Sequence, residues 1–292
     1  MRLESVVGLG LATLCASCAP PDDGPGELLW DVQKSGATTA SLFGTVHTRG
    51  LGDARTYHPS ALAAFDTSSV VIVEADLSQV DIPEYTRLAL LEDGVPGLDT
   101  QLTPEAWQQL TLATKSIVQV EVLTRAQPWY ALQLFTKASV YQWLADDGSP
   151  VVPMDLALAA EARARGADVR FLETWQEQIS LLQATSGVAE LEAALAVGGP
   201  ELNKQKNALE FAWLSGDVKG IEAQLGQTKA EQLRVLLDER NLRWAAVLGD
   251  VLASERQVFV GVGSAHLLRG EKGLPALLRK KGLVVSRHPS GQ

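Results

Sequence analysis

Apolar residues fall into short unbroken blocks toward the two ends of this chain and recur at three- and four-residue spacing between them. Val70-Val71-Ile72-Val73 holds no polar residue, the pattern of a strand covered on both faces, and it ends in Glu74-Ala75-Asp76. Leu28 to Lys34 and Thr39 to Gly44, on either side of Ser35-Gly36, predict a short hairpin. Val169 to Leu172, Gln257 to Val262 and Leu283 to Ser286 predict three further strands. The rest is helical in pattern. Pro59 to Phe65 is a small helix, and Pro83 to Leu144 is helical with starts at Thr103-Pro104-Glu105 and Gln127-Pro128. Pro153 to Arg165 stops at Gly166, and Thr174 caps the helix that opens Trp175-Gln176-Glu177. Val188 to Ala253 breaks only at Gly198-Gly199-Pro200, Gly216 and Gly226, and Gly270 to Lys280 stops at Gly282. Strands alternating with helices at both ends predict an α/β fold: a mixed, largely parallel sheet flanked by helices, with a large helical insertion over about residues 83–252.

The N-terminus carries a separate signal. Val6 to Leu14 is apolar, too short to span a bilayer, and leads into Cys15-Ala16-Ser17-Cys18, so residues 1–18 read as a lipoprotein-type signal peptide with Cys18 as the lipidated residue. An ordinary cleaved signal is the alternative. Residues 19–27 are a Pro/Gly-rich tether, and 28–288 form a single domain. The chain is therefore expected to be exported and lipid-anchored, on the periplasmic face of a bacterial membrane or at the cell surface. Ala19 in place of Asp resembles outer-membrane sorting. Cys15 and Cys18 are the only cysteines, which leaves the mature domain without a disulfide or a thiolate metal site. A net charge of −10 without a basic stripe excludes a nucleic-acid partner and leaves the lipid as the expected membrane contact. Composition sets no oligomeric state.

Candidate chemistry gathers at strand ends. Gly44-Thr45-Val46-His47 and Gly263-Ser264-Ala265-His266 repeat the pattern Gly-Xaa-Xaa-His, and they use two of the four histidines. Each follows an apolar run, where a glycine lets the backbone turn and aim an imidazole into the crevice above the sheet. Glu74 and Glu173 end two other strands. Two imidazoles and a carboxylate form the ligand set of many divalent-metal hydrolases, in which a bound water becomes the nucleophile. Either Glu74 or Glu173 completes that set, and each has a competing use as a helix cap. His58, before Pro59, and His288, in the tail, read as solvated. Six tryptophans, Trp107, Trp129, Trp143, Trp175, Trp213 and Trp244, fall at apolar helical positions and read as core.

The order of these segments resembles the TraB/GumN (TraB/PrgY/GumN) family. It is carried by Leu42-Phe43-Gly44-Thr45-Val46-His47, Val73-Glu74-Ala75-Asp76, Leu172-Glu173-Thr174 with Gln178, Arg240-Asn241, and Val262-Gly263-Ser264-Ala265-His266-Leu267. It continues through Gly270-Glu271-Lys272-Gly273-Leu274 and Leu277 to Gly282. The segment after His266, Leu267-Leu268-Arg269-Gly270, is one residue longer than the common form. That family is similar to the Tiki-type metalloproteases and, more distantly, to erythromycin esterases and ChaN-like lipoproteins. The resemblance implies an exported peptidase dependent on manganese, cobalt or zinc. His47 and His266 would be metal ligands, Glu74 a ligand or general base, Glu173 a second catalytic carboxylate, and Arg240 a carbonyl-polarising group. Asn241, Asp76 and Asp155 would line the substrate pocket. It equally implies an alternative from another class, a binding or regulatory lipoprotein that captures a peptide, haem or metal without turnover, as the peptide-restraining TraB/PrgY branch suggests.

Overall fold

The computed structural model describes residues 26–34, 37–139, 152–255 and 257–289. The expected signal peptide with Cys18, most of the expected tether, the turn at Ser35-Gly36 and Trp143 lie outside the described residues. Six strands form one sheet: β1 (Leu29–Lys34), β2 (Ala37–Thr45), β3 (Val70–Ala75), β4 (Asp168–Glu173), β5 (Val258–Gly263) and β6 (Val284–Arg287). Their order is β4-β3-β5-β2-β1-β6. β4, β3, β5 and β2 run parallel, while β1 is antiparallel to both of its neighbours. The four parallel strands therefore end along one edge.

Sequence dictates that placement directly. Every residue of β3 is buried and β5 is buried through Val262, as a sheet covered on both faces requires of its inner strands. The edge strand β4 is only partly covered. The helix Met154–Ala164 packs on β3, β4 and β5, and Phe259 meets Phe43 in a tilted pair and Phe65 edge-to-face. β4 sits inside the expected insertion, so residues 83–252 are two helical excursions on either side of a sheet strand. Together they build a second small core, from Leu98, Leu110, Leu123 and Phe135 of the first and Leu191 of the second. No helix among the described residues is long and apolar enough to cross a membrane.

Two histidines expected to be solvated are not. His58 is 1% exposed, edge-on to Trp213 and Phe43, and its Nε2–H donates to the Trp213 carbonyl at 3.0 Å. His288 pairs through Nδ1 with Asp31 at 2.8 Å, on the neighbouring strand. Both partners are far away in sequence, and no local pattern announces them.

Burial lowers the pKa of His58 from 6.5 to about 4, and that of His266 to about 3. The unfolded chain then takes up protons below pH 6.5 that the folded chain refuses, so stability is fully present above 6.5 and is lost as pH falls toward 4. Each such histidine costs about 1.4 kcal/mol per pH unit in that window. Thermal melts should show a steady fall in Tm as pH drops from 6.5 to 4.5, before most carboxylates titrate. A flat Tm over that window would contradict these assignments.

Candidate functional site

At the edge where β2, β3, β4 and β5 end, the helix Glu239–Ser254 crosses with Arg240 in its first turn, directly after a wide π-helical turn at Arg234–Asp238. The Arg240 guanidinium lies among the strand ends. Its Nε–H and one Nη2–H hold Glu173 as a fork, at 3.1 and 2.6 Å. The second Nη2–H reaches Glu74 Oε2 at 2.7 Å, and Nη1 donates to the Leu236 carbonyl at 2.9 Å and to His266 Nε2 at 3.0 Å. A guanidinium has five N–H bonds, and all five are used. Its flat face stacks on Trp244, 4.4 Å from the ring centroid, one helical turn away.

His266 is oriented from behind. Asn241 Nδ2 donates to the backbone carbonyls of His266 and Lys272, at 3.2 and 2.9 Å, which fixes the amide and turns Oδ1 to His266 Nδ1 at 2.7 Å. Nδ1 therefore carries the proton, and Nε2 presents a lone pair into the site. Burial is the main reason that the ring stays neutral. Glu74 is held the opposite way. Burial opposes its charge most strongly, but the positive charge of a protonated His266, of Arg240 and of His47 and the Gly263 N–H at 2.7 Å outweigh it and bring its pKa to about 2. With His266 neutral, Arg240 and His47 carry that pull. Glu173 moves upward because burial exceeds the help it receives from Arg240.

His47 occupies a different environment. Its Nδ1–H donates to Asp155 Oδ2 at 2.7 Å, and Thr45 Oγ1 donates to Asp155 Oδ1 at 2.7 Å. The ring keeps 61% of its side-chain surface open, so solvent limits the penalty on its charged form. The Asp155 carboxylate governs and raises its pKa to about 9. Nε2 meets no hydrogen-bond partner among the described residues. Asp155 is reached from the first turn of the helix that packs on the sheet.

The two glycines serve a purpose other than turning the chain. Neither lies at positive φ. A Cβ on Gly44 would sit 3.1 Å from the backbone Cα of Ser264, and one on Gly263 would sit 3.3 Å from Glu74 Oε1. The two motifs pack against each other, and each glycine permits a close approach.

The structure thus brings Glu74, Glu173, Arg240, Asn241 and His266 into one buried network and sets His47 with Asp155 beside it. Asp76 stays outside. It pairs with Arg163 and caps the turn Leu77–Gln79 by accepting from Ser78. Capping after β4 falls to Thr174 with Glu177, which leaves Glu173 free to face Arg240. Thr45 and Trp244 are the residues that sequence reasoning did not assign to the site. The i, i+4 spacing of Arg240 and Trp244 is the one signal that pointed to the stacking.

Among the described residues no three His, Cys, Asp or Glu side chains form a metal-binding group. His266 Nε2 and Glu74 Oε1 lie 3.8 Å apart, but Arg240 contacts both residues and takes the place a cation would need. As arranged, these donors do not fit a divalent metal. Arg240 also has no N–H left for a substrate oxygen, so its expected role as a carbonyl-polarising donor gives way to one of neutralising two carboxylates.

The TraB/PrgY/gumN family model matches residues 28–287, which include every residue of this site. No curated protein matches the chain.

Removing Arg240 strands two buried carboxylates, a loss of about 3–5 kcal/mol. Chemical denaturation of Arg240→Ala should show that loss at pH 7, with the deficit shrinking as pH falls through the carboxylate range and protonation removes the charge. A deficit that stays constant down to pH 4 would contradict the network.

Proposed function

We propose, on the premise that the chain belongs to the TraB/PrgY/gumN family, that the crevice at the strand ends is a hydrolytic site for peptide bonds. The observation that supports this reading is the pairing of an open imidazole, His47, with a buried carboxylate, Asp155, at 2.7 Å, while Nε2 meets no partner among the described residues. That is the geometry of a general base whose second nitrogen is steadied. His47 Nε2 takes a proton from water as the water oxygen adds to the substrate carbonyl carbon. It returns that proton to the nitrogen that leaves as the C–N bond breaks. Asp155 keeps the Nδ1–H in place throughout and stabilises the imidazolium. Glu74, Arg240 and His266 form the fixed wall of the crevice. The h-region and the small residues before Cys18 support an exported protein held at the membrane by a lipid on that cysteine.

A second reading, capture of a peptide without turnover, is favoured by one observation. All five Arg240 donors are already engaged, so this residue offers no hydrogen bond to a developing oxyanion. Cleavage of a peptide library followed by mass spectrometry separates the two, since capture gives binding and no product.

The raised pKa of His47 sets the pH dependence. A general base must be neutral, so kcat/KM should climb from pH 7 and level off near 9. Removing the Asp155 charge takes away the main cause of the shift, so Asp155→Asn should move that limb toward 6.5 and lower the plateau about 10²-fold or more. A limb that stays near 9 in Asp155→Asn would remove His47 from the role of base. Because Arg240 occupies the cation position, chelation should leave wild-type cleavage intact. Loss on chelation with recovery on adding manganese, cobalt or zinc would overturn the side-chain mechanism in favour of a metal-dependent one.

A further inference from the structure

On the β4 side of the same edge, a cavity of about 450 Å³ opens between the helices Ile82–Ala89, Pro128–Ser139 and Trp175–Thr185. Its walls are mainly rings and branched side chains: Tyr85, Trp129, Tyr130, Trp175, Ile179 and Leu182. Three observations tie it to the site and point to a ligand. First, it grows from the same strand ends. Leu77 on its rim lies three residues beyond Glu74, Trp175 lies two beyond Glu173, and the Gln178 side chain lines the cavity and helps stabilise the Glu173 charge. Second, Tyr85 stands edge-on to both Trp129 and Tyr130, at interplanar angles of 88° and 86° with centroids 5.9 and 6.0 Å apart. A further ring extends that edge-to-face pattern without repacking it. Third, Trp129, which lines the cavity, is 2% exposed, yet its Nε1–H has no acceptor among the described residues, an unusual state for a buried indole donor.

We infer that this cavity is a subsite that takes an apolar ring carried by an elongated substrate. The inference rests on the hydrolytic reading for its substrate class. The cavity falls within the roughly 300–1,000 Å³ of small-ligand sites, enough for one ring and its adjoining backbone. β4 and β2 are three strand spacings apart in the sheet order, so the subsite lies about 14 Å along the edge from the His47 position. An extended chain covers that span in about four residues. The ring therefore belongs to a residue several positions from the scissile bond, which makes peptides of five residues or more the substrate class and leaves short amides poor substrates.

The test is binding to the full chain carrying His47→Ala, so that turnover does not interfere. The probes are N-acetylated, C-amidated Gly/Ser octapeptides holding one Phe at each successive position, with the all-Gly/Ser peptide as reference, read by calorimetry. At least one Phe position should bind ten-fold or more tighter than the reference. Leu182→Trp, which fills the cavity with indole, should reduce that preference to less than two-fold. Leu182→Ala, which enlarges it, should shift the preference from Phe to naphthylalanine. Equal affinity for Phe and reference peptides would overturn the subsite, as would an unaltered Phe preference in a folded Leu182→Trp. Should Leu182→Trp fail to fold, the naphthylalanine comparison in Leu182→Ala decides alone, and an unchanged order there overturns the proposal. A Phe preference with no cleavage by the wild type would leave the subsite standing and remove the hydrolytic reading. Cleavage without any ring preference would do the reverse.

Discussion

The saturation of the Arg240 guanidinium is the constraint on which the rest of this site depends. Two buried carboxylates at the ends of adjacent strands would repel each other and resist ionisation, and one always-charged planar cation between them helps hold Glu74 ionised and offsets part of the burial penalty on Glu173. A lysine has no such fork and would leave acceptors unmet. The same guanidinium donates to His266 Nε2, so the proton of that ring must sit on Nδ1, where Asn241 accepts it. Arg240 and Asn241, adjacent in sequence, thus fix the charge of Glu74 and the tautomer of His266 together. Trp244 below the guanidinium and the backbone carbonyl of Leu236 beside it leave the cation little freedom to move.

From this follows an asymmetry between the two Gly-Xaa-Xaa-His motifs. They look alike in sequence and pack against each other at Gly44 and Ser264, yet their imidazoles end in opposite states. His266 is sealed, neutral and bonded on both nitrogens. His47 is open and leans on a carboxylate of its own, supplied by Asp155 from the helix Met154–Ala164 and steadied by Thr45. A chemical role that needs proton exchange with solvent belongs to His47, and a role in holding Glu74 and Arg240 in register belongs to His266.

Much of the scaffold was legible in the chain, because parallel strands buried on both faces must be written as runs without polar residues. Val70 to Val73 and Val258 to Val262 follow that rule, and their ends located Glu74 and His266. What stayed hidden was the partner of each polar group. Glu74 and Glu173 each sit before a helical turn and pass for caps, whereas Asp76 and Thr174 take the capping work and turn the glutamates inward. Asp155 lies 108 residues from His47, and Trp213 lies 155 from His58, separations at which periodicity carries no information. The repeated glycine suggested a turning device, although its physical reason is contact between two segments some 220 residues apart. Rings at helical spacing read as core for Trp213 and Trp244, and the same reading concealed that Trp129 and Trp175 line an open cavity.

The central claim is that one crevice keeps its two imidazoles in opposite protonation states. Nitrogen-15 NMR of the histidine side chains in the full chain, titrated from pH 5 to 10, tests it most directly. His266 should show the neutral Nδ1–H tautomer across the whole range, and His47 should remain doubly protonated until it titrates near 9. Two rings that titrate together near 6.5, or a His266 proton found on Nε2, would contradict the account.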